Sequence, residues 1–330
     1  MEDVQARTAR PQFGLVDVAL AGGMFIWGGN MVAVKVALTE MSPMAFNALR
    51  FIIASLTMLT ILVFTEKNLG MTRREWRWLL LTGLVGNTVY QLLFINGINL
   101  STAGNTAFMV ATAPVWVAVM SSLWADEVLT TWQWRGVFIS LSGAVLIIFG
   151  AGHKIVLSSG TLPGDILTLA GAICWAGYTV MCRPILARRS ALRVTAYAMV
   201  LGAVPLVAMS IPHMRVQDWG SVSPTGWLML LYGSIGALVI GYLVWGWGVR
   251  VIGSTRTAIY SNLNPVVAGV FGYVILTEPW TPMRVTGAGA VIIGLYLVRS
   301  TGVPGFQPRW RSKSGGTRAR LQSHQGNEGE

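Results

Sequence analysis

Ten apolar stretches, each long enough to cross a lipid bilayer as a helix, run through almost the whole chain. A hydrocarbon core of about 30 Å needs roughly 20 apolar residues at a rise of 1.5 Å each. The stretches are apolar throughout and lack the two-residue alternation of a membrane β-barrel strand. The sequence therefore predicts an all-α integral membrane protein. The ten predicted helices are Gly14–Leu38, Pro43–Phe64, Glu75–Asn96, Gly104–Trp124, Thr131–Gly150, Gly164–Leu186, Val194–Ile211, Trp227–Val249, Thr257–Leu276 and Pro282–Val298.

Lys and Arg residues are distributed unevenly between the two sides of these helices. Nineteen of the 24 fall in segments on the side of the termini, three fall on the other side, and Lys35 and Arg50 lie inside helices. Because basic segments stay on the cytoplasmic side, both termini are expected there, in a multi-pass protein of a bacterial inner (plasma) membrane. Basic loops beside anionic membrane lipids also explain the net charge of +11 without a nucleic-acid partner.

The chain matches itself at an offset of 151 residues. This offset pairs Pro114 with Pro265, Val115 with Val266, Val119 with Val270, Glu127 with Glu278, Thr130 with Thr281, Gly136 with Gly287 and Gly143 with Gly294, while Trp27 and Trp175 match at 148. A fixed offset of this kind predicts a duplication. Each copy holds five helices, an odd number, so the second copy enters the membrane in the opposite orientation, and the ten helices form two five-helix inverted repeats.

The repeat divides the chain into five predicted segments. Residues 14–150 form the first five-helix repeat, 151–163 an outer linker and 164–299 the second repeat. Residues 1–13 form a cytoplasmic N-terminal segment. The basic tail 300–330, rich in Gly, Ser and Arg, has little to bury and is predicted to be disordered in the cytoplasm.

The shared prolines fall near the middle of their helices. Pro114 and Pro265 each lack the N–H of a regular helical hydrogen bond, so we expect a hinge or helix break at each. Backbone carbonyls left without a hydrogen bond in the middle of the membrane must face other parts of the protein or a water-filled cavity. The alternative is a kink that only helps two helices to pack.

The shared acids and glycines have structural interpretations. Glu127 and Glu278 end helices and are expected to bond the exposed N–H groups of the helix that follows. Gly136 and Gly287 are expected to let a neighbouring helix approach closely.

These motifs resemble the drug/metabolite transporter superfamily, specifically its ten-helix EamA-type permeases. The resemblance rests on Trp27-Gly28-Gly29-Asn30, on Leu49-Arg50-Phe51 and on the segments 114–136 and 265–287. It implies two repeated five-helix units that export small metabolites or facilitate their passage, with amino acids, including aromatic ones, as the first expectation. The second half departs from the pattern, since Ala198 stands near the counterpart position of Arg50.

Polar and aromatic residues recur inside the helices at helical spacing. Asn87 and Gln91, Trp175 and Tyr178, Tyr242 and Trp245, and Trp27 and Asn30 form pairs that each share a helix face. Buried polar groups in lipid are costly, so a central cavity lined by rings and amides is predicted, although such rings also fill helix bundles. Arg50 is expected to hold a substrate carboxylate or to bond backbone carbonyls and Glu278. The substrate-binding candidates are Trp27, Asn30, Arg50, Asn87, Tyr90, Gln91, Trp175, Tyr178, Tyr242, Trp245 and Asn264.

The sequence favours a transporter over an enzyme. The three histidines, His153, His213 and His324, lie in outer loops and the tail, so neither a metal site nor a cofactor is predicted. No carboxylate sits at mid-depth in a helix, which favours gradient-driven facilitation or exchange over tight proton coupling. The alternative substrates are a nucleotide sugar, a nucleoside or a drug-like compound. Physiological direction and oligomeric state stay open, and a monomer is plausible.

Overall fold

The computed structural model describes residues 13–124, 127, 129–155, 158–276 and 280–300. Glu278, residues 1–12 and the basic tail from residue 301 lie outside the described residues. Secondary structure in the described part is helical, with no strand, and the prediction of an all-α membrane protein is confirmed.

Ten helical segments follow one another along the chain. They are α1 (Leu15–Ala37), α2 (Pro43–Thr65), α3 (Arg73–Leu100), α4 (Ala103–Ala111 and Ala113–Trp124), α5 (Thr131–Gly150), α6 (Leu162–Leu186), α7 (Ala191–Val216), α8 (Pro224–Ile252), α9 (Ser254–Ala258, Ile259–Asn262 and Leu263–Leu276) and α10 (Pro282–Ser300). Nine helices of the described part are long and apolar enough to cross a membrane. The tenth segment, α9, is divided by a turn of 3-10 helix.

Several helices begin earlier than their apolar pattern indicates. α7, α8 and α9 were predicted to start at Val194, Trp227 and Thr257, and these starts are wrong by three residues each. The Ser190 hydroxyl accepts a hydrogen bond from the Arg193 N–H at 3.1 Å, and Ser223 caps α8 in the same way. Such N-caps extend a helix into polar sequence beyond its apolar face.

α3 and α8 each contain a stretch of π-helix. The stretches are Leu84–Val89 in α3 and Tyr232–Gly241 in α8. An offset of 151 residues places the first stretch inside the second. The third and eighth helices therefore share an irregularity that hydrophobic periodicity does not indicate. π-Helical turns are rare and occur often at functional sites.

α4 and α9 are interrupted just before the paired prolines. α4 breaks at Thr112, two residues before Pro114, and the 3-10 turn of α9 ends at Asn262, three residues before Pro265. Both breaks follow from the missing proline N–H and from the clash of its ring with the preceding turn. Whether either break acts as a hinge stays a prediction.

α5 and α10 pack against each other through glycines. A Cβ on Gly136 would lie 2.7 Å from the Gly294 carbonyl oxygen, and one on Gly143 would lie 2.5 Å from that of Gly287. Because residue numbers rise on one helix as they fall on the other, the two helices run antiparallel. The 151-residue offset exchanges the two contacts: Gly136 becomes Gly287, and Gly294 becomes Gly143.

The main apolar core lies between the two halves of the chain. α2 contributes Phe51 and Met58, and α7 contributes Met199 and Leu206, all fully buried. Trp175 of α6 belongs to the same core. This packing holds the central helices in fixed register around the residues described next.

Candidate functional site

Six predicted rings from four helices meet at the centre of the protein. We call them the aromatic cluster: Trp27 of α1, Tyr90 of α3, Trp175 and Tyr178 of α6, and Tyr242 and Trp245 of α8. The Trp175 ring centroid lies 5.3 to 5.6 Å from each of the other five. These distances fall in the favourable range for edge-to-face and offset ring pairs. The sequence predicted each residue separately, and the structure brings all six together.

Hydrogen bonds fix two of the indoles. Trp27 Nε1 donates to the Ala237 carbonyl at 3.0 Å, and Trp245 Nε1 donates to Thr179 Oγ1 at 3.1 Å. Ala237 lies within the π-helical stretch of α8. The irregular backbone of α8 therefore orients a ring of the first half of the chain.

Glycines in or beside the π-helical stretches make room for the cluster. A Cβ on Gly86 would lie 2.2 Å from Cδ2 of Tyr178, and a Cβ on Gly241 would lie 2.3 Å from Nε1 of Trp27. Any side chain at either position would have to displace a ring. Neither glycine was predicted from the sequence, although Gly86 stands next to the predicted Asn87.

Two amides of α3 lie beside the rings. Gln91 is buried and its side chain neighbours the Tyr242 phenol. Asn87 is fully buried and donates from Nδ2 to the Ala198 carbonyl of α7 at 3.0 Å, while its Oδ1 has no partner. One end of Asn87 thus joins α3 to α7.

A second group of polar side chains lies between α1, α2 and α8. The Arg50 side chain is buried and makes no ion pair with a described residue, and its Nε has no hydrogen-bond partner. The Arg50 guanidinium carbon lies 5.1 Å from the centre of the Phe46 ring. A Cβ built on Gly233 would lie 3.2 Å from Asn30 Oδ1 and 3.4 Å from Arg50 Nε, so both side chains converge above the same backbone position.

The Arg50 group and the aromatic cluster are adjacent. Asn30 and Trp27 are three residues apart on α1 and share a face. The charge of Arg50 acts electrostatically on the phenols of Tyr90 and Tyr242. Rings, amides and one cation therefore form a single site to which both halves of the chain contribute.

Asn264 stands apart from this site. It precedes Pro265 in α9, and its Oδ1 is buried without a partner. None of the described ring contacts or hydrogen bonds that build the site involves Asn264. Its role as a substrate ligand stays a prediction.

The described carboxylates are engaged outside this site. Four pair with arginines: Asp17 with Arg299, Glu66 with Arg193, Glu75 with Arg189 and Glu127 with Arg183. The other three accept hydrogen bonds near helix ends: Glu40 from Ser223, Asp165 from Ser101 and Asn105, and Asp218 from the Gly220 N–H. No described carboxylate therefore neutralises Arg50.

The four ion pairs share one arrangement. Each carboxylate belongs to the first half of the chain and each arginine to the second, and all lie at helix ends on the side of the termini. Glu75 accepts two 3.0 Å hydrogen bonds from Arg189, which raise the pKa of that arginine. These pairs join the two halves along one face of the protein.

The expectation that Glu127 caps the helix that follows is wrong. The helix after it, α5, is capped by Thr130, whose hydroxyl accepts from the Gln133 N–H at 3.2 Å. Glu127 instead accepts hydrogen bonds from the N–H groups of Ser254 and Thr255 and so caps the distant helix α9. A pocket of about 150 Å³, lined by Arg183, Ala187 and residues 249–253, opens at this end of the protein, away from the aromatic cluster.

Comparisons with known proteins agree with the fold. Residues 14–149 and 162–300 match the EamA-like transporter family. An uncharacterized transporter of Bacillus subtilis is 28% identical over 84% of this chain and 91% of its own length. A probable terminal-alkyne amino-acid exporter of Streptantibioticus cattleyicolor is 27% identical over 85% of this chain and 92% of its own. One solved crystal structure, 18% identical, superposes with a TM-score of 0.72 over 86% of this chain and 95% of that one.

Proposed function

The chain belongs to the EamA-like transporter family and is a membrane transporter rather than an enzyme, and we propose that it carries amino acids, including aromatic ones, by alternating access. The observation that carries the substrate proposal is the aromatic cluster beside Arg50. Six rings suit a flat apolar side chain, and a guanidinium suits a carboxylate. A relative named as a probable amino-acid exporter supports the same class.

Alternating access requires two halves that can exchange conformations around a shared site. Symmetric contacts support this part of the proposal. Counterparts in the repeat touch each other near the centre, since the Trp27 and Trp175 rings lie 5.6 Å apart and Gln91 neighbours Tyr242. The exchanged glycine contacts of α5 and α10 and the matched π-helical stretches agree with an inverted repeat.

The proposed energy source is the substrate gradient, through facilitation or exchange. A proton-coupled carrier needs a protonatable group in its central site, and the described carboxylates lie at helix ends or in loops instead. We place the termini in the cytoplasm and the protein in a bacterial inner membrane, on the distribution of Lys and Arg and on the bacterial relatives.

Counterflow in liposomes tests the substrate class. Liposomes that contain the purified protein and are loaded with unlabelled phenylalanine should accumulate labelled phenylalanine from outside. Nucleosides and nucleotide sugars should not compete with this uptake. Trp175→Ala should abolish accumulation, because Trp175 contacts the other five rings. Trp124→Ala is the matched control, since that indole is 68% exposed at the end of α4. Unchanged counterflow in Trp175→Ala, or preferential exchange of a nucleoside or nucleotide sugar, would overturn the proposal.

A further inference from the structure

Three side chains of α1 and α2, at Arg50 or close to it, have buried polar atoms without partners. They are Asn30 Oδ1, both amide atoms of Asn47, and Arg50 Nε. Asn47 is fully buried and stands three residues before Arg50, on the same face of α2. An unpaired buried polar atom needs a partner from outside the fold, and here the unpaired donors, Arg50 Nε and Asn47 Nδ2, call for an acceptor. Asn47 was not among the residues singled out from the sequence.

From this arrangement we infer that Asn47 and Arg50 form a carboxylate-binding subsite with Asn30 beside the guanidinium, and that the transporter recognises aromatic monocarboxylates without requiring an α-ammonium group. The inference deepens the proposed function and rests on it. A guanidinium binds a carboxylate through paired hydrogen bonds, and the unpaired Asn47 Nδ2 can donate to the same carboxylate. Asn30 Oδ1 is an acceptor, so it can receive a hydrogen bond from the guanidinium and orient it rather than contact the carboxylate.

The charge balance favours an anion. A buried cation is costly unless an opposite charge accompanies it, and the described carboxylates are all engaged elsewhere. A substrate carboxylate would neutralise Arg50. A substrate ammonium would find rings and amide oxygens, but no described carboxylate, and it would lie near the positive charge of Arg50. An α-ammonium group should therefore contribute little to recognition.

The spacing fits an aryl group on a short chain. Asn30 lies about one helical turn, some 5 Å, from Trp27 on the same face of α1. A ring stacked in the aromatic cluster would thus be joined by two or three carbons to a carboxylate at Arg50.

Competition against labelled phenylalanine in counterflow, with direct binding titrations in detergent, tests the inference. The probes are 3-phenylpropionate, which lacks the ammonium, and phenethylamine, which lacks the carboxylate. We expect 3-phenylpropionate to bind within a few-fold of phenylalanine and phenethylamine at least about tenfold more weakly. A tenfold weaker 3-phenylpropionate, or a phenethylamine that binds as well as phenylalanine, would overturn the subsite while leaving amino-acid transport intact. Binding of 3-phenylpropionate without transport of phenylalanine would sustain the subsite and overturn the amino-acid proposal.

Two variants make the test specific to these side chains. Arg50→Gln should remove the preference for 3-phenylpropionate over phenethylamine. Asn47→Ala should weaken binding of 3-phenylpropionate several-fold and leave phenethylamine unchanged. Asn96→Ala is the control, because that amide is exposed on α3 and bonds only the Leu92 carbonyl among described residues. The measured quantity is a ratio of affinities, which a partial loss of folded protein does not change. An unaltered ratio in Arg50→Gln would overturn the inference.

Discussion

Single residues set the shape of the central site, and glycine is as important there as the rings. Trp175 contacts five aromatic partners, but Tyr178 reaches its place only because residue 86 has no side chain. The Tyr178 ring occupies the space that a Cβ at this position would need. The proposed substrate site therefore depends on a residue that contributes no side chain to it.

Gly86→Ala should impair transport without unfolding the protein. The added methyl would meet the Tyr178 ring at 2.2 Å and force it out of the aromatic cluster. Overpacking of this kind costs about 1–3 kcal/mol, so we expect a several-fold loss of counterflow and altered substrate preference. Gly22→Ala is the matched control, since a Cβ there meets no atom within 4 Å. Equal activity of the two variants would show that Tyr178 does not shape the site.

Helical spacing was sufficient to identify the rings of this site, because residues three apart on a transmembrane helix share a face whatever surrounds them. It did not identify Asn47 or Gly86. Asn47 lies in an ordinary apolar stretch, and only the structure shows that its amide is fully buried without a hydrogen-bond partner. Whether this amide has a hydrogen-bond partner depends on how the other helices pack around it.

Among the helices too, some features have a local signal in the sequence and others depend on tertiary packing. The ten helices follow from apolar length, and the early starts of α7 and α8 have a local signal in Ser190 and Ser223. The π-helical stretches and the capping of α9 by Glu127 have no such signal. Glu127 is 127 residues from Ser254 in sequence, and only the packing of α4 against α9 brings the two together.

Gly143→Ala should loosen the packing of α5 on α10. The new methyl would lie 2.5 Å from the Gly287 carbonyl and 2.7 Å from the Val291 N–H, both backbone groups that cannot rotate away. We expect a loss of about 1–3 kcal/mol in stability, seen as a lower midpoint of thermal unfolding in detergent. The control is Gly289→Ala on α10, where a Cβ meets no atom within 4 Å. A midpoint that falls equally in both variants would contradict the proposed contact.

At the scale of the whole molecule, the two halves are tied together along the side of the termini. The four ion pairs there all cross from the first half to the second. Under alternating access they must separate whenever the central site opens to that side. Under the proposed mechanism, the structure represents a state closed on the side of the termini.

Breaking one pair should favour opening on that side. In a Cys174→Ser background, Glu66→Gln leaves Arg193 without its carboxylate, and the uncompensated charge destabilises the closed face. Buried Cys182, next to Arg183 near the end of α6, should then react several-fold faster with a maleimide. Exchanging the charges in Glu66→Arg with Arg193→Glu should restore slow labelling. An unchanged labelling rate of Cys182 in Glu66→Gln would argue against this role of the ion pairs.

Alternating access as proposed depends on an inverted arrangement of the two halves, and the sidedness of two counterpart turns tests this arrangement most directly. Thr131 and Pro282 begin α5 and α10, are related by the 151-residue offset and are both exposed. Single cysteines would be placed at Thr131 or Pro282 in a background without Cys174 and Cys182, and labelled with a membrane-impermeant maleimide in intact cells and in inverted vesicles. With inverted halves, Thr131→Cys should react only in inverted vesicles and Pro282→Cys only in intact cells. Labelling of both positions from the same side would contradict the inverted arrangement.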